Sequence, residues 1–153
     1  MTILHTAVFT FLISMVPVLE LRGAIPFGVA GGLTPLAALA IAVVGNLVPV
    51  PFLILFTRPI FQWLKKRGRV RRLIEKLERR ASRKGEAVRK YAWLGLFILV
   101  AIPLPGTGAW TGALVASMLD MRLKYAFPAI SLGVVAAGLI MTLISFGASH
   151  LLG

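Results

Sequence analysis

Long apolar runs with two polar interruptions set the pattern of this chain. The first interruption is ELRGAIPFGVAGG at residues 20–32, and the second is PLPGTGAWTG at residues 103–112. Both contain glycine and proline, and the first also contains charge, where a continuous apolar helix would have none. Because lipid offers no water to free backbone groups, such sequence is stable at membrane depth only where protein or a hydrated cavity surrounds it. The pattern therefore predicts broken helices that line a substrate path.

The same order of segments occurs twice. An apolar run (residues 3–19, then 91–102) precedes each interruption, and a long apolar run (33–56, then 125–147) follows it. The run at 91–102 is too short for a full crossing, which takes about 20 residues, so it suits a limb that enters and leaves on one side. Each half is thus predicted to be a re-entrant helical hairpin followed by a transmembrane helix. One crossing per half makes the halves two inverted repeats.

Composition favours an all-α integral membrane protein. Of the 153 residues, 58% are hydrophobic, and the mean hydropathy is +0.89, which a soluble domain of this size would hardly reach. The length allows a single membrane domain, 1–153, with a first repeat (1–57), a connector (58–90) and a second repeat (91–153). The lack of cysteine excludes disulfides and thiolate metal sites. No basic stretch precedes the first apolar run, so the start is read as mature sequence.

Nearly all of the formal net charge of +12 lies in the connector, which holds 14 of the 17 Lys and Arg residues. A short loop this basic stays in the cytoplasm, and both termini then lie outside. Asp120, Arg122 and Lys124 follow the second hairpin and fall on the cytoplasmic side as well, which leaves Arg22 as the one basic residue elsewhere. Apolar residues at near-helical spacing predict an amphipathic connector helix; they are Leu64, Val70, Leu73, Ile74, Leu77 and Ala81.

Three roles compete for this basic amphipathic helix. An interfacial connector held against anionic headgroups is the ordinary role beside membrane segments. A dimerising coiled coil is the alternative. Nucleic-acid binding would fit the charge but lacks a recognition module and interleaved aromatic residues.

Glu20 and Arg22 are the leading functional candidates. An ionisable side chain near the bilayer centre costs about 2.5–3.5 kcal/mol, so two together usually face a cavity or each other. Positions two apart on a continuous helix point away from one another, but Gly23 and Pro26 predict a break that brings them to a common cavity. The alternative is a buried ion pair that fixes the hairpin.

Glycine and proline in both interruptions have two possible roles. Pro26 and Gly28, and likewise Pro105, Gly106 and Gly108, would free backbone N–H groups at the start of the returning limbs, where the helix dipole favours anions. The alternative is close helix packing, because Gly28/Gly32 and Gly108/Gly112 have small-xxx-small spacing. Both roles can hold together.

The remaining polar residues support no catalytic site. Asn46, Thr107 and Thr111 can line a cavity or bond across helices, and Trp110 can stack on a substrate or serve packing. His5 and His150 lie at opposite ends without partners at metal-ligand spacing. Without a nucleophile and base, paired carboxylates or a metal cluster, no enzyme is expected. No cofactor is expected either.

The two interruptions resemble a known family. Glu20-x-Arg22-Gly23-Ala24-Ile25-Pro26 and Pro103-x-Pro105-Gly106-Thr107-Gly108 are similar to the small multidrug export proteins, and the likeness covers nearly the whole chain. The second half also resembles DedA-type (VTT-domain) membrane proteins. These resemblances imply re-entrant hairpins, a multipass inner (plasma) membrane location and, through the DedA-like relatives, translocation of lipids coupled to protons.

Two transport hypotheses follow from the sequence. In the first, the protein translocates an amphiphilic anionic lipid such as a phospholipid or polyprenyl phosphate; Arg22 and the tip amides hold the headgroup, and Glu20 exchanges a proton. In the alternative, it exports lipophilic cations against protons with Glu20 as the exchangeable charge. The small size favours a homodimer, because one chain makes a thin wall around a cavity. The predicted substrate-binding residues are Glu20, Arg22, Gly23, Pro26, Gly28, Pro103, Pro105, Gly106, Thr107, Gly108 and Trp110.

Overall fold

The described part of the chain consists of helices joined by short turns. The structure is a computed structural model that describes residues 2–68, 71–72, 75–76 and 85–152, and no strand occurs among them. The helices of this part that have defined bounds are α1 (Ile3–Met15), α2 (Glu20–Ala30), α3 (Pro35–Leu47), α4 (Pro49–Lys65), α5 (Gly85–Ala101), α6 (Ala109–Met118) and α7 (Leu123–Leu152). The predicted all-α class is therefore confirmed.

Two spans are long and apolar enough to cross a membrane. Pro35–Leu64 has 30 residues and a mean hydropathy of 2.4, and Leu123–Leu151 has 29 residues and a mean hydropathy of 2.2. The first span joins α3 to α4 through Val48, whose φ of −56° and ψ of −49° are helical. Thirty residues of α-helix extend about 45 Å, more than the roughly 30 Å of hydrocarbon in a bilayer. The other apolar helices in the described ranges are shorter.

The first interruption is helical where the sequence predicted a break. α2 runs without interruption through Gly23 and Pro26, so the break predicted at these residues is wrong. A proline inside a helix removes one hydrogen bond, which packing of neighbouring helices can offset. The chain turns instead at residues 16–19 and again at 31–34.

The second interruption breaks where the sequence predicted. α5 ends at Ala101, and residues 102–108 are not helical before α6 begins. The residue before a proline disfavours the helical conformation, which explains the end of α5 ahead of Pro103. Gly106 and Gly108 then adopt φ values of +81° and +128°, which favour glycine.

Small and polar side chains make up much of the bundle interior, and many large apolar side chains lie on its surface. On α1, Thr6, Thr10 and Ser14 are buried, whereas Leu4 and Val8 are exposed. The buried core is likewise rich in alanine. Helices that associate in lipid have this distribution, because small residues allow close approach and apolar side chains can face the lipid.

The helices pack in two groups that share contacts. α1, α2 and α3 contact one another, as do α5, α6 and α7. Between the groups, α4 packs on α6, and α7 packs on α2 and α3. Close approach depends on glycine here, since a Cβ on Gly138 of α7 would lie 2.6 Å from Leu39 Cδ1 of α3.

One end of the bundle carries the start of the basic connector. Arg58 of α4 donates to Asp120, which follows α6, over 2.6 Å, and Gln62 donates to the same oxygen over 3.2 Å. The end of α4 and the α6–α7 turn therefore lie together. Of the residues that predict the amphipathic helix, Leu64 belongs to the end of α4, and the rest lie outside the described residues; these are Val70, Leu73, Ile74, Leu77 and Ala81.

Candidate functional site

The two hairpins meet at their ends. The first tip comprises residues 16–19, between α1 and α2, and the second tip comprises residues 102–108, between α5 and α6. The indole N–H of Trp110 donates to the carbonyl of Met15 over 3.1 Å, which joins the start of α6 to the end of α1. Glu20 and Arg22, at the start of α2, also form hydrogen bonds to the second hairpin.

Glu20 binds the N-terminus of α6. Its side chain is 4% exposed, and its carboxylate accepts hydrogen bonds from the backbone N–H groups of Ala109 (3.2 Å) and Trp110 (3.1 Å). The first amides of a helix have no partner within it and carry partial positive charge, so they form an anion site. In this structure the protein's own carboxylate fills that site.

The close approach of Glu20 depends on Gly108. A Cβ on Gly108 would overlap Glu20 Oε2 and lie 2.8 Å from Glu20 Cδ. Glu20 itself has a φ of +45°, and Val18 of the first tip has a φ of +79°. Left-handed backbone at residues other than glycine costs about 1–3 kcal/mol and persists where surrounding contacts enforce it. Backbone strain thus accumulates where the hairpins meet.

Arg22 binds the second tip through a single residue. Its Nη2 donates to the backbone carbonyl of Thr107 over 2.7 Å and to the Thr107 hydroxyl over 2.6 Å. That hydroxyl also accepts from the N–H of Leu104 and lies 2.7 Å from the carbonyl of Ile102, to which it can donate. Thr107 therefore both shapes the second tip and receives the guanidinium.

Glu20 and Arg22 do not form a salt bridge with each other. No such ion pair occurs among the described residues, and each side chain reaches the opposite hairpin instead. Two positions apart on α2, they diverge as the helix geometry requires. Glu20 and Arg22 therefore connect the two halves of the chain and do not form the ion pair within one hairpin that the sequence offered as an alternative.

Gly23, Pro26 and Gly28 lie inside α2 and away from the contacts between the tips. The prediction that Pro26 and Gly28 begin a returning limb is wrong, because that limb begins at Glu20. A Cβ on Gly28 would lie 2.9 Å from Thr10 Oγ1 and 3.1 Å from Ala38 Cβ. Gly28 thus allows α1 and α3 to approach α2, which is the packing role that its spacing allowed.

The second tip exposes Pro105 and Gly106. Pro103 is half-buried, and Pro105 and Gly106 are exposed. Gly106 accepts a hydrogen bond from the Thr111 hydroxyl over 2.9 Å through its carbonyl. These residues shape the tip, while Thr107, Gly108 and Trp110 make its contacts with the first hairpin.

Asn46 of α3 is a buried polar residue beside this site. It is fully buried, and its side chain lies close to the Glu20 carboxylate. Neither its Oδ1 nor its Nδ2 has a hydrogen-bond partner in the structure. The sequence singled out Asn46 as polar in an apolar run, but its neighbours depend on how α2 and α3 pack. Ala109, which contributes only its amide, gave no signal in the sequence.

Comparison with known proteins identifies a matching family. A family model described as "Putative small multi-drug export protein" matches residues 20–140 of the chain, a range that includes both Glu20 and the second tip. No curated protein and no solved structure matches the chain.

Proposed function

The chain belongs to the family of putative small multi-drug export proteins, and from this membership we propose that it is a proton-coupled membrane exporter of lipophilic cations. The family and the apolar helices identify a membrane protein of an export family. The observation that carries the proposal is the Glu20 carboxylate, buried between the two hairpin tips and held by two backbone amides of the opposite hairpin.

A single exchangeable carboxylate explains coupling between proton and cation. A buried carboxylate is stable only with compensating partners, and the α6 amides are its partners in this structure. A proton on Glu20, or a cation beside it, replaces that compensation and weakens the contact between the tips. Because one carboxylate cannot hold a proton and a cation at once, uptake of one releases the other.

The geometry favours cation export over translocation of an anionic lipid. The lipid hypothesis assigned the tip amides and Arg22 to the headgroup. In the structure Glu20 already occupies the α6 amides, and Thr107 already receives the Arg22 guanidinium. An anionic headgroup would have to displace a buried carboxylate of the same charge. The family match supports export of small molecules and gives no support to lipid translocation.

We further propose that the hairpins are re-entrant and that the halves are inverted repeats. Each half has a hairpin with a short returning helix, followed by a long apolar span. The contacts between halves correspond, since α4 packs on the short helix α6 of the second half and α7 packs on the short helix α2 of the first. Contact between the tips also fits two hairpins that enter from opposite faces to partial depth.

The proposed orientation has the basic connector in the cytoplasm and both termini outside. The contact between Arg58 and Asp120 supports it, because it joins the α6–α7 turn to the end of the bundle that leads into the connector. The positive-inside rule then assigns this end to the cytoplasm. The chain acts as one membrane domain without a catalytic step, and a homodimer would complete the wall around the path.

Transport by purified protein in liposomes tests the proposal. With an imposed pH gradient, wild-type protein is expected to move ethidium, a fluorescent lipophilic cation, and Glu20→Gln is expected to abolish this movement. Glu75→Gln makes the same chemical change at the connector, where Glu75 accepts from Arg71, and should keep wild-type transport.

Two outcomes would contradict cation export. Full ethidium transport by Glu20→Gln would remove the exchangeable carboxylate from the mechanism. Movement of a labelled anionic lipid that Arg22→Ala abolishes, with no ethidium transport by any variant, would instead support lipid translocation.

A further inference from the structure

Asn46 has two polar atoms without partners in the interior of the bundle. The side chain is 0% exposed, and both Oδ1 and Nδ2 lack a hydrogen bond. Buried polar groups in native proteins are nearly always paired, because an unpaired one loses its hydration without compensation. We therefore expect the side-chain amide of Asn46, beside the Glu20 carboxylate, to form hydrogen bonds in another state of the site.

The position of Asn46 along α3 indicates Glu20 as the partner for its unpaired amide. The preceding residue, Gly45, packs against α1, where a Cβ would lie 2.7 Å from the carbonyl of Phe11 and overlap the Ser14 hydroxyl. Ser14 is adjacent to Met15, whose carbonyl binds Trp110 of the opposite hairpin. Asn46 thus lies at the level of the first tip, with its side chain beside the Glu20 carboxylate.

The hydrogen-bonding chemistry of the two groups depends on the proton. An ionised carboxylate only accepts, so it can use the amide N–H of asparagine but leaves Oδ1 unpaired. A protonated carboxyl has one donor and one acceptor, and the asparagine side chain offers one of each in the complementary order. The acid O–H can donate to Oδ1 while Nδ2 donates to the acid carbonyl. Of the two forms of the Glu20 side chain, only the protonated carboxyl can form hydrogen bonds with both Oδ1 and Nδ2 of Asn46.

We propose that Asn46 binds the protonated Glu20 carboxyl through a two-bond acid–amide pair. Glu20 then has two positions: the ionised carboxylate binds the amides of Ala109 and Trp110, and the protonated carboxyl pairs with Asn46. Movement between these positions breaks the contact of Glu20 with the N-terminus of α6. Protonation is thereby converted into release of one hairpin tip from the other.

The groups around Asn46 disfavour a metal ion as its partner. Glu20 has Arg22 of its own helix as a charged neighbour, and α6 presents the positive end of its dipole. α1 and α3 contain no Asp, Glu, Lys or Arg, so neither helix adds a charged side chain. No group of three His, Cys, Asp or Glu side chains that could hold a metal ion occurs among the described residues, whereas a protonated carboxyl needs only the Asn46 amide.

Infrared spectroscopy of the protein in liposomes tests the pair directly. The carbonyl band of a protonated carboxyl that Glu20→Gln removes belongs to Glu20. In Asn46→Leu, which has similar volume and no amide, this band should move to the frequency of a carboxyl without the pair. Its midpoint of appearance should shift by about 0.7–2 pH units to lower pH, the equivalent of two lost hydrogen bonds.

Two further variants keep the test decisive. Asn46→Ala repeats the loss of the amide with a smaller side chain, in case leucine prevents folding. Ser117→Ala removes another fully buried polar group, which donates to Ala113 within α6, and should leave the Glu20 band unchanged. A band with wild-type frequency and midpoint in both Asn46 variants would overturn the pair.

The role of the acid–amide pair in transport rests on the proposed function, but the existence of the pair does not. If the acid–amide pair exists, a band that responds to Asn46 appears whether or not ethidium moves, so failure of cation export leaves this result intact. If Glu20→Gln abolishes ethidium transport but the Asn46 variants leave the Glu20 band unchanged, the export proposal is supported and the acid–amide pair is contradicted.

Discussion

Glu20 accepts a hydrogen bond from the backbone of Trp110, 90 residues later in the chain, over 3.1 Å. The start of one short helix therefore places a carboxylate at the start of another, and the helix dipole of α6 stabilises that charge. Arg22 and Thr107 add a second connection between the same elements. The consequences of this arrangement can be tested residue by residue.

The Thr107 hydroxyl is expected to hold the second tip in shape. Thr107→Val keeps the size of the side chain but removes one acceptor each from the Leu104 N–H and the Arg22 guanidinium, which keep the carbonyls of Ile102 and of residue 107 as their remaining acceptors. A cost of about 0.5–1.5 kcal/mol is expected for each hydrogen bond lost. Hydrogen exchange at residues 102–108, followed by mass spectrometry, should become faster in this variant. Thr107→Ser keeps the hydroxyl and should exchange like the wild type; equal protection in Thr107→Val would contradict this role.

Gly108 is expected to tolerate no side chain. Its φ of +128° and ψ of −168° belong to a region that is nearly exclusive to glycine, and a Cβ would overlap the Glu20 carboxylate. Gly108→Ala should therefore destabilise the protein by about 1–3 kcal/mol, measured by thermal unfolding in detergent. Gly95→Ala is the matched control, because Gly95 lies in α5 with nothing within 4 Å of an added Cβ. A melting temperature for Gly108→Ala equal to that of the control would show that the tips do not touch here.

The sequence located the second tip correctly and misplaced the first, for a physical reason. Pro103 and the two glycines that follow leave few options other than a turn, so the break is encoded locally. In the first half Gly23 and Pro26 are compatible with a packed helix, and the turn occurs at residues 16–19, which contain no glycine. The left-handed backbone of Glu20, directly after this turn, accompanies hydrogen bonds to α6 that local sequence does not encode. Val18, within the turn, is also left-handed and is exposed.

The choice of functional residues was predictable to a similar extent. Glu20 and Arg22 stood out because ionisable groups are costly in apolar surroundings. Their partners did not, because backbone amides at Ala109 and Trp110 have no sequence signal other than the start of a helix. The relation of Asn46 to Glu20 depends on the packing of α2 against α3, so the sequence left open whether this residue lines a cavity or bonds across helices.

The contact of α5 with α7 is expected to depend on Gly133. A Cβ at this position would lie 2.7 Å from Val100 Cβ and 3.0 Å from the carbonyl of Phe97, so the helices would have to separate. Gly133→Ala should cost about 1–3 kcal/mol through overpacking, measured as a lower midpoint of thermal unfolding. Gly147→Ala, in the same helix with open space around the added Cβ, should unfold at or above the wild-type temperature. Equal stability of the two variants would contradict the close approach.

Single cysteines can test the proposed orientation, because the chain has none of its own. Thr2, Lys66 and Arg122 are exposed and can each be replaced by cysteine. A membrane-impermeant maleimide should label Lys66→Cys and Arg122→Cys in everted membrane vesicles, and Thr2→Cys in vesicles of the native orientation. This result is expected because the second hairpin returns to the side from which it enters, where Asp120 contacts Arg58.

Two other topologies predict different labelling. If residues 91–118 made a single broken crossing, Arg122→Cys would react from the same side as Thr2→Cys. If both limbs of the second hairpin crossed fully, Pro105→Cys at the exposed second tip would also react from the side of Thr2→Cys. A re-entrant tip lies at partial depth, so Pro105→Cys should resist the reagent from that side while Thr2→Cys in the same preparation reacts. Labelling of Pro105→Cys at the rate of Thr2→Cys would therefore rule out contact between the tips inside the membrane.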